Sequence, residues 1–296
     1  MLTFVAQGHV SLVLLPQPYL EFSVTINIGH IKYANCTPIF TALASHFDCT
    51  GYRFVDGVPA RLNAMLRAGE IDLSPSSSIE YAMAHEQYCL LPELSISAIG
   101  PVKSVFLFSR VPIEELDGAA IGLTAESDTS VNLLKVLLAR KYGFANSFER
   151  TTLPLAQALE QYPGLLLIGD AALKGAASGS GFFCYDLGAL WHEFTGLPFV
   201  FALWIVRREA AQEKQTELAA LAHDLVAAKK LAYASYAEIA AQCEERAWLS
   251  EEALVDYWQT ISYELTDAHL EGARLFFRHA FEMGLIPSLP ELRFFK

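Results

Sequence analysis

Three short apolar runs, "SVTINIG", "YRFVDG" and "IDLS", are separated by two helical patterns, "NCTPIFTALASHF" and "VPARLNAMLRAGE". This alternation constrains the fold more than any other feature, because strands and helices that alternate at such spacing form parallel βαβ units. The first helix carries Pro38 in its opening turn, where a missing N–H costs nothing. The second places Leu62, Met65 and Leu66 on one stripe and reaches Gly69, which suits a helix C-cap. The first strand is expected to close at Gly29 and the third to stop at Pro75. The serines that follow should then open a helix, "SSIEYAMAHEQ".

Two more extended stretches, "LLPELSISAIG" and "VKSVFLFSR", lead to a second unit: strand "AAIGLTAES", helix "DTSVNLLKVLLARKYG" and strand "LLLIGDAAL". "KGAASGSGFFCYDLG" has the small-residue composition of a loop. "LPFVFALWIVRR" is a long apolar run able to cross back to the first unit. Beyond residue 208 the pattern is helical, with Leu218, Leu221 and Leu225 on one face. Leu270, Ala273, Phe277 and Phe281 form another stripe, stopped by Gly284 and Pro287. The expected fold is therefore α/β. It has two lobes joined by two crossing strands, with a ligand cleft between them. Residues 24–108 would begin lobe 1, 109–197 would form lobe 2, and 198–296 would return to lobe 1 with C-terminal helices.

A chain of 296 residues with 53% apolar residues can bury a sizeable core. Its formal net charge of −12 argues against nucleic acid as a partner, which needs clustered Lys and Arg. A locally positive pocket for a small anion remains compatible with that charge. The five cysteines form no CxxC pair and read as dispersed thiols in a reducing cytoplasm. Residues 1–23 include the apolar "VSLVLLPQPYL" but no preceding basic segment and no small-residue cleavage site, so they read as an extension and not a secretion signal. No other run is long and apolar enough to span a bilayer. The expected compartment is cytoplasmic.

Candidate chemistry gathers where strands give way to helices. Ser76, Ser77 and Ser78 precede a helix, and Ser77 stands three residues before Glu80, as in a capping box. One hydroxyl is enough for a cap, and a helix N-terminus after a parallel strand also favours an anion. Ser127, Asp128, Thr129 and Ser130 repeat the arrangement in the second unit, and one of them should be an N-cap. Two such starts facing each other across a cleft would suit a ligand with more than one carboxylate. Asn35 before "CTP" can also serve as an N-cap, and His30 and Lys32 sit at a strand end. Cys36 has no His partner placed by the sequence, which weighs against a nucleophile. Asp170 ends a strand and either lines the cleft or caps a turn. The histidines form no HExxH, and neither a GxGxxG after a strand nor a Walker loop occurs, so no metal is expected.

Six segments occur in family order: "GHIKYANCTPIF", "GVPARLNAMLRAGEIDLSPSSSIEYA", "LLPELSISAIGPVKSVFLFSR", "LTAESDTSVNLLKVLL", "LIGDAAL" and "DLGALWHEFTGLPFVFALW". Over residues 24–285 the chain resembles the menaquinone-biosynthesis family of chorismate dehydratases. The resemblance implies a type II periplasmic-binding-protein-like fold used as an enzyme of the futalosine route. The implied reaction removes water from chorismate to give 3-[(1-carboxyvinyl)oxy]benzoate, with no cofactor. Asn35 matches the Asn of the family's Y-x-N motif. Ser77, Ser78, Thr129 and Ser130 match its ligand-binding hydroxyls, while Ser76 lies where relatives often carry an apolar residue. The alternatives are a sister enzyme that makes 1,4-dihydroxy-6-naphthoate, and a non-catalytic solute receptor of the same fold. The Y-x-N and SSIEYA motifs point away from the sister enzyme, and the receptor would need export. A homodimer is compatible with the sequence.

Overall fold

The computed structural model describes residues 25–179 and 181–296, so the apolar N-terminal extension read from the sequence lies outside the described residues. In chain order the first part holds β1 (Ile26–His30), α1 (Thr37–His46), β2 (Tyr52–Asp56), α2 (Pro59–Ala68), β3 (Leu73–Ser77), α3 (Ser78–Ala84) and β4 (Tyr88–Ala98). The middle holds β5 (Val105–Ser109), β6 (Ala120–Leu123), α4 (Asp128–Val136), β7 (Ser147–Arg150), α5 (Leu155–Gln161), β8 (Gly164–Ile168), α6 (Gly169–Ala177), β9 (Phe183–Asp186) and α7 (Leu187–Thr195). Then come β10 (Phe199–Arg207), α8 (Arg208–Glu213), α9 (Gln215–Ala234), α10 (Tyr236–Ala240), α11 (Glu251–Trp258) and α12 (Asp267–Glu282).

Two five-stranded sheets organise these elements, in the orders β2-β1-β3-β10-β4 and β7-β6-β8-β5-β9. Each begins with three parallel strands, and in each the fourth strand runs antiparallel to both of its neighbours. The fourth strand of each sheet is the one that enters from the other lobe: β5 follows β4 of the first sheet, and β10 follows β9 and α7 of the second. These are the two expected crossings. The first falls between Ala98 and Val105, ahead of the residue 108 boundary read from the sequence, because β5 pairs with β8 and β9. Among the described residues no helix is long and apolar enough to cross a membrane.

Several local expectations need correction. β1 runs one residue beyond Gly29 because His30 still pairs with Asp56 of β2. β3 does not stop at Pro75; it continues through Ser76 to Ser77, each paired with β10. Proline is tolerated there because β3 pairs with β1 only at Leu73, so beyond that residue no β1 partner requires an N–H. α3 therefore starts directly from a strand, and Ser77, still extended, makes no side-chain cap. Cys36, not Asn35, is the N-cap of α1, again without a side-chain cap bond. The "LLLIGDAAL" strand ends at Ile168, where Gly169 turns the chain with φ of 58° into α6. Most of the expected loop "KGAASGSGFFCYDLG" is taken up by the end of α6 and by β9. The strand in "AAIGLTAES" is only Ala120–Leu123, and the rest is the approach to α4.

Other readings match the fold. Gly69 is left-handed at the α2 C-cap and lets its N–H reach the carbonyls of Leu66 and Met65. Leu218, Leu221 and Leu225 are fully buried, and α9 packs against α1. On α12, Ala273 and Phe277 are buried together with Phe276 and Ala280, whereas Phe281 is 43% exposed and lies off the stripe. All five cysteines are free thiols.

Candidate active site

Parallel strands carry ligands at their carboxyl ends, where the following helices present free N–H groups. Four such junctions converge here on one narrow cavity between the lobes, with about 60 Å³ of free space inside it. The β1–α1 junction contributes Tyr33, Asn35 and Cys36, and the β3–α3 junction contributes Pro75 and Ser77. From the second lobe come Ser127 and Ser130 at the start of α4, and Ile168 and Gly169 at the start of α6. The N-caps of these four helices, Cys36, Ser77, Ser127 and Ile168, all line the cavity. The other walls are Ser104 and apolar side chains, among them Ile31, Ile96, Val105 and Phe201.

Among the described residues no Asp, Glu, Lys, Arg or His side chain lines this cavity. Its polarity is that of neutral donors and helix ends. The Ser77 hydroxyl oxygen accepts from Asn63 Nδ2 at 3.1 Å, which leaves its own hydrogen free. Ser127 Oγ accepts from the Ser130 backbone N–H at 3.3 Å, so Ser127 is the N-cap of α4. The Ser127 hydroxyl in turn donates to Ser130 Oγ at 3.2 Å, and the Ser130 hydrogen is again left for another partner. Asn35 Oδ1 is buried without a protein partner. Burial, with Glu126 and Asp170 nearby, holds the Tyr33 phenol well above its ordinary range. Burial, reinforced by Asp170, does the same to the Cys36 thiol, so neither group ionises near neutrality.

The structure divides the residues singled out in the sequence. Asn35, Ser77 and Ser130 are brought together in the cavity wall. Ser78 and Thr129 are fully buried and meet each other, with Oγ to Oγ1 at 3.4 Å; Thr129 Oγ1 also accepts from the Ile79 N–H at 3.0 Å. Their hydroxyls bridge the two lobes and do not line the cavity. Ser76 is fully buried on the opposite face of β3 from Ser77, with its hydroxyl unpartnered. The Ser77–Glu80 capping box is absent: Glu80 instead accepts from Arg67 at 2.6 Å and from the Tyr88 hydroxyl at 3.1 Å. Asp170 stands behind the cavity, where Oδ1 accepts from the Ala34 N–H at 3.2 Å.

Sequence reasoning missed Tyr33 as a lining residue, although it lies in the same motif as Asn35. It also missed Ser104, in the crossing between the sheets, and Gly169. The glycine carried a legible signal, since Gly-Asp directly after a buried apolar run suits a strand-to-helix turn. Among the described residues no group of His, Cys, Asp or Glu is placed to hold a metal ion.

A cavity between two lobes, joined by two crossings and walled by strand ends, defines the bilobed periplasmic-binding-protein-like class. Solved structures agree. A protein from Archaeoglobus fulgidus superposes with a TM-score of 0.73 at 20% identity, covering 90% of this chain and 100% of that one. The periplasmic aliphatic sulphonate binding protein of Escherichia coli gives 0.66 at 15% identity, covering 90% of each. At these identities the likeness is one of fold. Within that class the chain belongs to the menaquinone biosynthesis family, which its residues 26–282 match. Its relatives include a chorismate dehydratase of Thermus thermophilus, 34% identical over 84% of this chain and 93% of that protein. A chorismate dehydratase of Campylobacter jejuni is 31% identical over 63% of this chain and 70% of its own length.

Proposed function

We propose that this chain is a chorismate dehydratase, a hydro-lyase of menaquinone biosynthesis that forms 3-[(1-carboxyvinyl)oxy]benzoate. The observation that carries the reading is a cavity between the lobes that combines helix N-termini and free hydroxyl donors with no charged side chain from the described residues. Two carboxylates can be held there by neutral donors and peptide dipoles, which need no reorganisation as the reaction proceeds. In this reading Ser77 and Ser130 donate to substrate carboxylates, and Asn35 hydrogen-bonds near the departing hydroxyl.

Loss of water from chorismate removes the ring hydrogen at C3 and the hydroxyl at C4, and the product ring is aromatic. The driving force lies in the substrate, so the protein's task is orientation and the handling of two protons. Asn35 is a poor base, and Tyr33 and Cys36 stay protonated. The substrate's own enolpyruvyl carboxylate is then the proton acceptor, set in place by the serines. The reading extends to a cytoplasmic protein that acts on a small molecule and not on nucleic acid.

The test is to incubate the purified protein with chorismate and follow the products by liquid chromatography and mass spectrometry. Loss of one water with an aromatic product is expected. Unchanged chorismate in a folded sample would sink the proposal and turn attention to the naphthoate-forming reaction or to a solute receptor. Asn35→Ala should lower kcat about 100-fold or more while KM stays within about threefold, because the bond it makes strengthens as the hydroxyl leaves.

A further inference from the structure

Asn35 sits in a tight turn closed by the Cys36 N–H donating to the Tyr33 carbonyl at 2.8 Å. That turn is held from two sides. On its own lobe, Trp258 Nε1 donates to the Ala34 carbonyl at 2.6 Å and the Tyr263 hydroxyl donates to the Asn35 carbonyl at 2.8 Å. These two bonds satisfy carbonyls only. The buried N–H of Ala34 is satisfied from the other lobe, by Asp170 Oδ1 in the first turn of α6. The other lobe also supplies Glu126, whose Oε2 accepts from the Tyr33 hydroxyl at 3.0 Å.

α6 touches the first lobe at two further points. Gly169 lies under the Tyr33 ring so closely that a Cβ there would come within 3.2 Å of it. Lys174, one turn beyond Asp170, places its ammonium 4.3 Å from the centre of the Trp248 ring. Asp170 has no part in the ion pairs among the described residues, and its carboxylate is aimed at a backbone donor. Such a charge-assisted bond is strong when the lobes are together, and it cannot form when they are apart.

We propose that Asp170 is a positioning residue that makes the presentation of Asn35 depend on lobe closure. It fixes the Asn35 turn through Ala34 only when α6 has docked, with the Tyr33–Glu126 bond as a second tie. Its role is to accept a backbone hydrogen bond, and its charge takes no part in the proton transfer. Asn35 is thereby held by its own lobe alone in an open molecule and fully fixed only in a closed one, so water loss is favoured with an enclosed substrate.

The inference rests on the chorismate reading for its kinetic assay alone. Asp170→Ala should lower kcat about tenfold or more, with KM within about threefold, since small misplacement of a reacting group is costly. Asp170→Asn, whose amide oxygen can still accept from Ala34, should recover kcat to within about threefold of the wild type. An Asn variant as impaired as the Ala variant would overturn the proposal, because it would make the charge itself act on the substrate. Wild-type kcat in the Ala variant would overturn it equally. If Asp170→Ala does not fold, Glu126→Ala reads the second tie: a loss of kcat at unchanged KM is expected, and a wild-type kcat refutes the coupling. Small-angle scattering of the protein without ligand separates the latch from the chemistry. The wild type and Asp170→Asn should share one radius of gyration and Asp170→Ala should show a larger one; equal radii in all three would remove closure from the argument, whatever the protein does to chorismate.

Discussion

The two serine-bearing junctions, β3 to α3 and β6 to α4, look alike in sequence and work differently in space. At the second, the chain leaves β6 at Leu123, crosses a short turn and begins α4 with Ser127 as an N-cap bonded to the Ser130 N–H. At the first there is no turn: β3 stays paired with β10 through Ser77, and α3 begins at the next residue. Ser77 cannot fold back to cap, so its oxygen accepts a hydrogen bond from Asn63 Nδ2 instead. The lesson is that a hydroxyl at a helix start is committed to the helix only when the backbone arrives by a turn. The two junctions are not counterparts in the sheets either. By position, β3 matches β8, so the Ser77 junction corresponds to Gly169–Asp170, and the Ser127 junction corresponds to the one that carries Asn35.

Affinity offers the strongest way to break this comparison. Ser77 and Ser130 each have a hydroxyl hydrogen free for the cavity, although only the Ser127–Ser130 pair is tied to a cap. Ser77→Ala and Ser130→Ala should each raise KM for chorismate about 10- to 100-fold, the worth of a hydrogen bond to a charged group. An effect at one site alone would show that only one junction holds a carboxylate.

Stability separates the junctions next. Thr129→Val strips the Ile79 N–H of its buried acceptor and should cost about 1–3 kcal/mol in urea unfolding. Ser127→Ala removes a real cap and should cost about 1 kcal/mol. A larger loss from Ser127→Ala than from Thr129→Val would mean that the bridge between the junctions matters less than the cap within one of them.

The smallest effect concerns Glu80, the residue expected to complete a capping box. Burial pushes its carboxyl above the usual range, while Arg67 and the Tyr88 hydroxyl hold it partly down. A raised carboxyl pKa means that the folded state binds the proton more tightly than the unfolded chain. Its contribution to stability is therefore fully present below the unfolded pKa and is lost as pH rises through the folded one. Against Glu80→Gln, which does not titrate, the wild type should gain melting temperature as the pH is lowered from about 7 toward about 4.5. A difference that is flat with pH would make Glu80 an ordinary surface-like acid.

Much of this architecture is legible in the sequence because local chemistry determines it. Gly69 ends α2 by its left-handed backbone, and the alternation of runs dictates parallel strands. The fate of the serines was not legible. Ser74 to Ser77 form a polar strand held by β10, whose residues lie more than a hundred positions later, and tertiary pairing overrides the turn character of Ser-Pro-Ser. The ties that set Asn35 are equally remote: Tyr33 to Glu126 spans 93 residues and Ala34 to Asp170 spans 136. No periodicity reports contacts at that separation. The family motifs did draw attention to the right loops, yet they could not distinguish Ser77, which faces the cavity, from Ser78 beside it, which faces Thr129.

The placement of β10 has a consequence for how the molecule comes into being. Every strand of the second sheet lies within residues 105–186, so that sheet can assemble while the rest of the chain is still being synthesised. The first sheet, although it is begun earlier, lacks its fourth strand until Arg207 has emerged, and until then β3 has no neighbour on the side that β10 will fill. The lobe that starts first is thus the last to be completed, and a nascent chain carries an open polar strand edge from the time Ser77 emerges until Arg207 does.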